Sequence, residues 1–275
     1  MRPIVEAKRA RHKTRDSRFR GRRKIDAGLA RECLETALLA WDREQGRTPV
    51  SARAAYIPGR PEIQEILASV ELLLTTKEER FRRRLEALGP VIEANIAETG
   101  WAVARAFPLL GEGPLRERTA RALEKYSADT ARELAANPFG VLWRPRIWGV
   151  GWDLQEFAVQ RYFLNQALPK LFDREGIFRV LHFILGCHPG SNVSFVSGVG
   201  AKSLTIGYGM NRADWSYIPG MNVSGTALIR PDFPELKDDF PFLWQQAENV
   251  IGGAATYIFT VLAADRLLNG PEENK

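Results

Sequence analysis

The sequence has little of what most readily reveals a function. Its two cysteines, Cys33 and Cys187, form neither a spaced framework nor a Cys-x-x-Cys pair, so no disulfide scaffold or zinc site is expected. No apolar run reaches the roughly 20 residues needed to cross a bilayer, so a membrane partner is not expected. Residues 1–24 lack the apolar centre of a secretory signal, and the compartment stays open. "SGVGAKS" at 197–203 carries letters of a phosphate-binding loop but not its Gly-x-x-x-x-Gly-Lys spacing or a preceding strand, which removes a P-loop nucleotide site.

What is present is positive charge, unevenly placed. The net charge is +6, yet residues 1–24 hold eleven of the 39 Lys and Arg against only Glu6 and Asp16. The rest of the chain is therefore mildly acidic. An Arg-rich arm can contact nucleic acid or an anionic surface. The reading adopted for residues 1–24 is instead a disordered or non-native leader, and nucleic acid is not an expected partner.

From residue 25 onward helical periodicity dominates. "DAGLARECLETALLAWDREQG" places Leu29, Cys33, Ala37 and Trp41 at four-residue steps, beside Leu34 and Leu38, with Asp26 as cap and Gly46 as stop. "RPEIQEILASVELLLTT" repeats the pattern through Ile63, Ile66, Leu67, Val70 and Leu74, with Pro61 in the first turn. Further helices are expected over "KEERFRRRLEALG", "GPLRERTARALEKYSADTARELAANP", "LQEFAVQRYFLNQALPKLF", "DREGIFRVLHFILG" and "PFLWQQAENVIGGAATYIFTVLAADRLL". About seven helices in hairpins, with no comparable strand series, predict an all-α class built as a toroid or solenoid of paired helices. Residues 186–241 lose helical period and fill with Gly, Pro, Ser, Asn and aromatics, and a loop region of that length is usually functional.

Several linked stretches then resemble one family. "FILGCHPGSNVSFVSGVGAKSLTIGYGMNRADWSYIPG" followed by "PDFPELKDDFPFLWQQAENVIGGAATYIFTVLAADRLL" is similar to the C-terminal part of glycoside hydrolase family 9, the cellulase-like (α/α)6 barrels. "RIWGVGWDLQEFAVQRYFL" resembles that family's Trp-Gly loop and the helix after it, and "DAGLARECLETALLAWD" resembles a mid-barrel helix. The resemblance implies a partial (α/α)6 toroid over residues 25–270, incomplete because only the C-terminal half to two-thirds of such a domain is represented. It also implies inverting hydrolysis of β-linked glucans or oligosaccharides. The family's general-acid Glu matches Glu248, with Ala247 where Asn often stands. Its Asp base, in a DAGD-like motif, has no match; "IDAG" at 25–28 shares letters but opens a helix capped by Asp26.

Glu248 precedes Ile251, Ala255 and Ile258 by three, seven and ten residues, which predicts a place on the buried stripe of the last helix. Such a place withholds a carboxyl group from water, as general-acid chemistry requires. The bland alternative is a carboxylate favoured by the helix N-terminus. None of Asp214, Asp232, Asp238 and Asp239 stands in the base motif; Asp214 is expected to orient Arg212 or to hold a sugar hydroxyl. Arg212 occupies the place of a substrate-touching His-Arg pair whose His is here Asn211. Trp148, Trp152, Tyr208, Trp215 and Trp244 are candidate stacking surfaces for sugar rings, each equally readable as a packing aromatic. His188 is a candidate site residue or a helix C-terminal cap. No cofactor is expected, Asp238-Asp239 being the one hint of calcium. The competing function is a carbohydrate-binding remnant that has lost turnover.

Overall fold

The computed structural model describes residues 26–45, 60–188, 192–205, 207, 217–230, 233–235 and 244–270, the side chains of 229, 230, 233–235 and 244 excepted. These residues fall in two units, Met1–Ile57 and Pro58–Lys275. The basic stretch 1–24 and the Asp238-Asp239 pair lie outside the described residues.

The first unit contributes helix α1 (Ala27–Glu44). Asp26 caps it as expected: its Oδ1 accepts from the Gly28 and Leu29 amides at 2.9 and 3.2 Å, satisfying two of the first-turn donors that no carbonyl can reach. None of its residues is buried, and Leu29 and Leu39 stand well exposed.

In the second unit, α2 (Pro61–Thr76) starts with Pro61 in its first turn and buries Ile63, Ile66, Val70 and Leu73 on one face. Helices α3 (Glu79–Ala87) and α4 (Gly89–Ala94) abut at Leu88, with Gly89-Pro90 forming the first turn of the second. Then come α5 (Ile96–Arg105), α6 (Phe107–Leu110) and α7 (Pro114–Ala135). The α5 helix packs against α2, α7 and the later α8. It does so through small side chains: Thr99, Gly100, Ala102 and Ala104 are all buried, and a Cβ on Gly100 would come within 2.7 Å of Leu123 on α7. Close approach of this kind raises dispersion contact without large side chains.

Helix α8 (Gly151–Ala167) follows the Trp-rich loop, and α9 (Glu175–Ile184) is capped by Asp173, whose Oδ1 accepts from the Glu175 amide at 2.9 Å. Phe157, Ile177, Val180, Phe183, Phe195, Val196 and Val223 build the core between these two helices and the loops above them. The irregular stretch expected at 186–241 carries short strands among its described residues. Strands β1 (Val193–Ser194) and β2 (Lys202–Ser203) pair in parallel, while β3 (Ala227–Arg230) and β4 (Phe233–Glu235) pair antiparallel. The chain continues through α10 (Trp244–Ala247) and α11 (Ile251–Asn269), which packs against α8 and α9.

Two expectations change. Eleven helical segments stand among the described residues in place of about seven, because α5 buries mostly small side chains, because the four residues of α6 are too few to show a period, and because breaks divide longer runs. The helix read as continuous over 241–268 is two helices, separated at Glu248–Val250. Moreover, α11 is long and apolar enough, by length and composition alone, to cross a membrane.

Candidate active site

The site forms where three stretches of backbone lock together above the N-termini of α8 and α11. In "WGVGW", Gly149, Val150 and Gly151 each donate an amide hydrogen: Gly149 to the Gln245 carbonyl at 2.7 Å, Val150 to Thr226 at 2.9 Å, and Gly151 to Ser224 at 2.8 Å. Only glycine permits residue 149 to lie this close to the 224–225 backbone, since a Cβ there would collide with the Ser224 carbonyl group. Gly225 adopts φ +81° with Phe195 packed against its α-carbon, a conformation and a contact both closed to larger residues.

The same lattice fixes Glu248. Its carbonyl accepts from the Ser224 amide at 3.0 Å, the Gln246 carbonyl accepts from Gly225 at 2.8 Å, and the Gln245 carbonyl also takes the Ser224 hydroxyl at 3.0 Å. Side-chain bonds brace the layer beneath. Gln155, fully buried on α8, donates from Nε2 to Asn222 Oδ1 at 3.0 Å, and its Oε1 accepts from Thr256 Oγ1 on α11 at 3.1 Å. Asn249 donates to the Asn222 carbonyl. Two α-helices and the loop at 222–226 are thereby tied at one level. Buried polar groups linked in this way favour a single arrangement, because each broken bond strands a partner away from water.

Glu248 itself is half-buried. It precedes α11 and does not ride on it, so its expected place on the helix stripe is corrected: Ile251, Ala255 and Ile258 form an exposed face, with Ile251 at 89% accessibility. The carboxylate turns the other way, where Oε2 accepts the Trp148 indole hydrogen at 2.9 Å.

The other expected site residues divide. Trp148 lies beside Glu248 and is partly open to solvent. Trp152 sits on the second turn-residue of α8 with its indole against Gly253, and its Nε1 is buried without an acceptor among the described residues. That is the surrounding of a packing aromatic at the α8–α11 contact. His188 is buried; its Nε2 meets the Val193 carbonyl at 2.7 Å and its ring lies 4.9 Å from that of Phe195, so the imidazole is tied to the start of β1 and to the core beside it. Trp244 opens α10. Tyr208, Arg212, Asp214 and Trp215 lie outside the described residues, as does Asp232. Among the described residues no cluster of three His, Cys, Asp or Glu is placed to hold a metal ion.

Sequence reasoning missed Gln155, Asn222 and Asn249, the brace under the acid. A polar Gln between Leu154 and Phe157, on a face whose neighbours are mostly apolar, was the available signal. A hollow of about 450 Å³ lined by Arg105, Phe107, Arg116, Phe163 and Leu168 lies at the far end of α8 from this layer. The 17 residues of that helix separate the two by roughly 25 Å at 1.5 Å per residue.

No protein-family model and no curated protein matches the sequence. Solved structures do match in fold. A single-mutant thermostable endoglucanase from Alicyclobacillus acidocaldarius aligns with a TM-score of 0.70 at 18% identity, over 88% of this chain and 51% of that one. AaCel9A in complex with cellobiose-like isofagomine aligns at 0.70 and 16% identity, over 88% and 52%. A metagenome-derived glycoside hydrolase family 9 endoglucanase aligns at 0.70 and 19%, over 87% and 48%. The chain spans about half the length of these structures. What they share with it at such identity is architecture: this chain carries the helical (α/α)6 fold of family 9 endoglucanases, as a partial domain.

Proposed function

We propose that this protein is a glycoside hydrolase acting on β-linked glucans or oligosaccharides, with Glu248 as the general acid of an inverting reaction. The observation that carries the reading is the carboxylate of Glu248, half-buried at the head of the last helix and held by an indole donor on a backbone lattice, within a fold shared with family 9 endoglucanases. A glucan ligand is favoured by the cellobiose-like isofagomine bound in one structural neighbour.

The chemistry asks two things of the site. An acid must protonate the departing glycosidic oxygen, and a water on the opposite face of the sugar must lose a proton to a base about 6.5–9.5 Å from that acid. Glu248 meets the first requirement. For the second, Asp214 is the candidate within this chain, and Arg212 and Tyr208 are its proposed companions around the sugar; a base supplied outside this sequence is the other source.

The test is hydrolysis of cellotetraose by the full chain, followed by product chromatography, alongside calorimetric binding of the same sugar. Glu248→Gln is expected to lower turnover by about 10²–10⁴-fold, the usual worth of a positioned general acid, with affinity changed by less than about threefold. A wild-type chain that binds cellotetraose and never cleaves it would overturn the hydrolase reading and leave a carbohydrate-binding protein in its place.

A further inference from the structure

We infer that Trp148 is a positioning residue that chooses which oxygen of Glu248 delivers the proton, an inference that rests on the hydrolase reading above only for its catalytic consequence. Indole Nε1 is a donor and never an acceptor. Its hydrogen is aimed at Oε2, 2.9 Å away. A protonated carboxyl group carries its hydrogen on one oxygen; with Oε2 occupied by an incoming donor, that oxygen is the carbonyl-like one and the acid hydrogen sits on Oε1. In the reaction the O–H bond at Oε1 breaks and the proton passes to the glycosidic oxygen. The bond from that oxygen to the anomeric carbon breaks with its electron pair staying on the oxygen. Water completes the anomeric carbon and loses its proton to solvent or to the base. The negative charge left on Glu248 is then met at Oε2 by a hydrogen bond that strengthens as the charge develops.

The pair is more than a chance surface contact because neither partner is free to drift. Trp148 leads directly into the Gly149–Gly151 run, whose three amides are tied to three different carbonyls, and Glu248 is tied through its own carbonyl to Ser224. Both side chains therefore leave the same lattice, 100 residues apart in sequence. Two anchored ends lower the entropy lost in holding the bond, the condition that exposed, freely rotating pairs fail to meet. The expectation that Trp148 stacks on a sugar ring gives way here to a role exercised through the carboxylate.

Two experiments on the full chain test this, one independent of catalysis. With nitrogen-15 label in the indoles, Trp148→Phe assigns the Trp148 Nε1–H resonance among the seven tryptophans. Glu248→Gln should then shift that resonance more than any other indole signal; a resonance that stays in place overturns the inference, whatever the protein hydrolyses. In the second experiment Trp148→Phe, melting at the wild-type temperature, is assayed on two substrates. Cellotetraose needs a protonated leaving group and should lose about 10–100-fold in kcat with KM within about twofold. A 2,4-dinitrophenyl β-cellobioside, whose phenolate leaves without a proton, should lose less than about threefold. Equal losses on both, or a loss confined to KM, would mark Trp148 as a structural or stacking residue and overturn the proposal. If the wild type cleaves neither substrate, the hydrolase reading falls and the indole resonance alone decides whether the pair exists.

Discussion

Helices α8 and α11 lie side by side, and each begins just after a member of the Trp148–Glu248 pair, yet they are buried in opposite ways. Along α8, Leu154, Gln155, Phe157, Ala158, Arg161 and Leu164 are buried, a face that includes an amide and a guanidinium. Along α11, the more apolar sequence, only Gly253, Thr260, Ala263 and Ala264 are buried, while Ile251, Ile258, Leu262 and Leu268 stand more than half exposed. Polarity is accepted inside α8 because it is paired: Arg161 bonds the Asp173 carbonyl at 3.1 Å, lies over the Phe172 ring at 5.0 Å and faces the Asp173 carboxylate. The lesson is that hydropathy identifies which residues favour burial, and neighbours decide which residues obtain it.

The largest effect that sharpens this contrast comes from truncating matched leucines. Leu154→Ala on α8 should cost about 2–5 kcal/mol by urea denaturation, the range for a filled interior site, whereas Leu262→Ala on α11 should change stability by less than about 0.5 kcal/mol. A cost at Leu262 comparable to that at Leu154 would break the comparison, because it would mean the outer face of α11 is covered in solution.

A second contrast lies within α11 itself. A Cβ on Gly253 would run into the Trp152 indole, whereas one on Gly252 meets nothing within 4 Å. Gly253→Ala should therefore destabilise by about 1–3 kcal/mol through overpacking, and Gly252→Ala should stabilise by about 0.5–1 kcal/mol by restricting the unfolded chain. Thermal melts of the two neighbours with opposite signs would confirm that α11 has one packed side and one open side.

The smallest expected effect is alkaline. Burial raises the phenol of Tyr257, on the inner side of α11, above its ordinary value near 10, and burial does the same for Tyr126 on α7, partly opposed by a hydrogen bond to Thr130. Above about pH 10 the unfolded chain loses phenolic protons that the folded chain still holds. Stability contributed by these groups is thus complete below that pH and declines as pH rises toward the raised folded-state values. Tyr126→Phe or Tyr257→Phe should flatten the decline in a pH series of urea midpoints; an unchanged slope in both would show that neither ring is withheld from water.

Much of the helical frame is legible in the sequence where large apolar residues repeat or a cap is explicit. The Asp26 cap and the Ile63–Ile66–Val70 face are examples. Helix α5 is not, since Thr99, Gly100, Ala102 and Ala104 pack by being small and leave no stripe to count. The division between α10 and α11 is hidden for a different reason. The sequence shows no stop signal between the two, and the tertiary backbone bonds that Gly225 and Ser224 donate to the Gln246 and Glu248 carbonyls mark where the chain leaves helix geometry at 248–250. Within the site, Glu248 and Trp148 are each selectable by residue type, but their contact depends on how a loop returns, which no local pattern encodes. The glycines of "WGVGW" are the trace it leaves, because two backbones can approach so closely only where a side chain is missing.

That lattice of main-chain bonds has a consequence for how the protein can change. The backbone carbonyl is the same in every residue, so the bonds that seat Trp148 and Glu248 do not themselves specify a side chain at Gln245, and at Gln246 and Thr226 it is burial that limits the choice. Substitutions that keep the packing can accumulate along these stretches while Trp148 and Glu248 keep their separation, provided that Gly149 and Gly225 remain. A side-chain pairing stored in the backbone can outlast the sequence that first produced it.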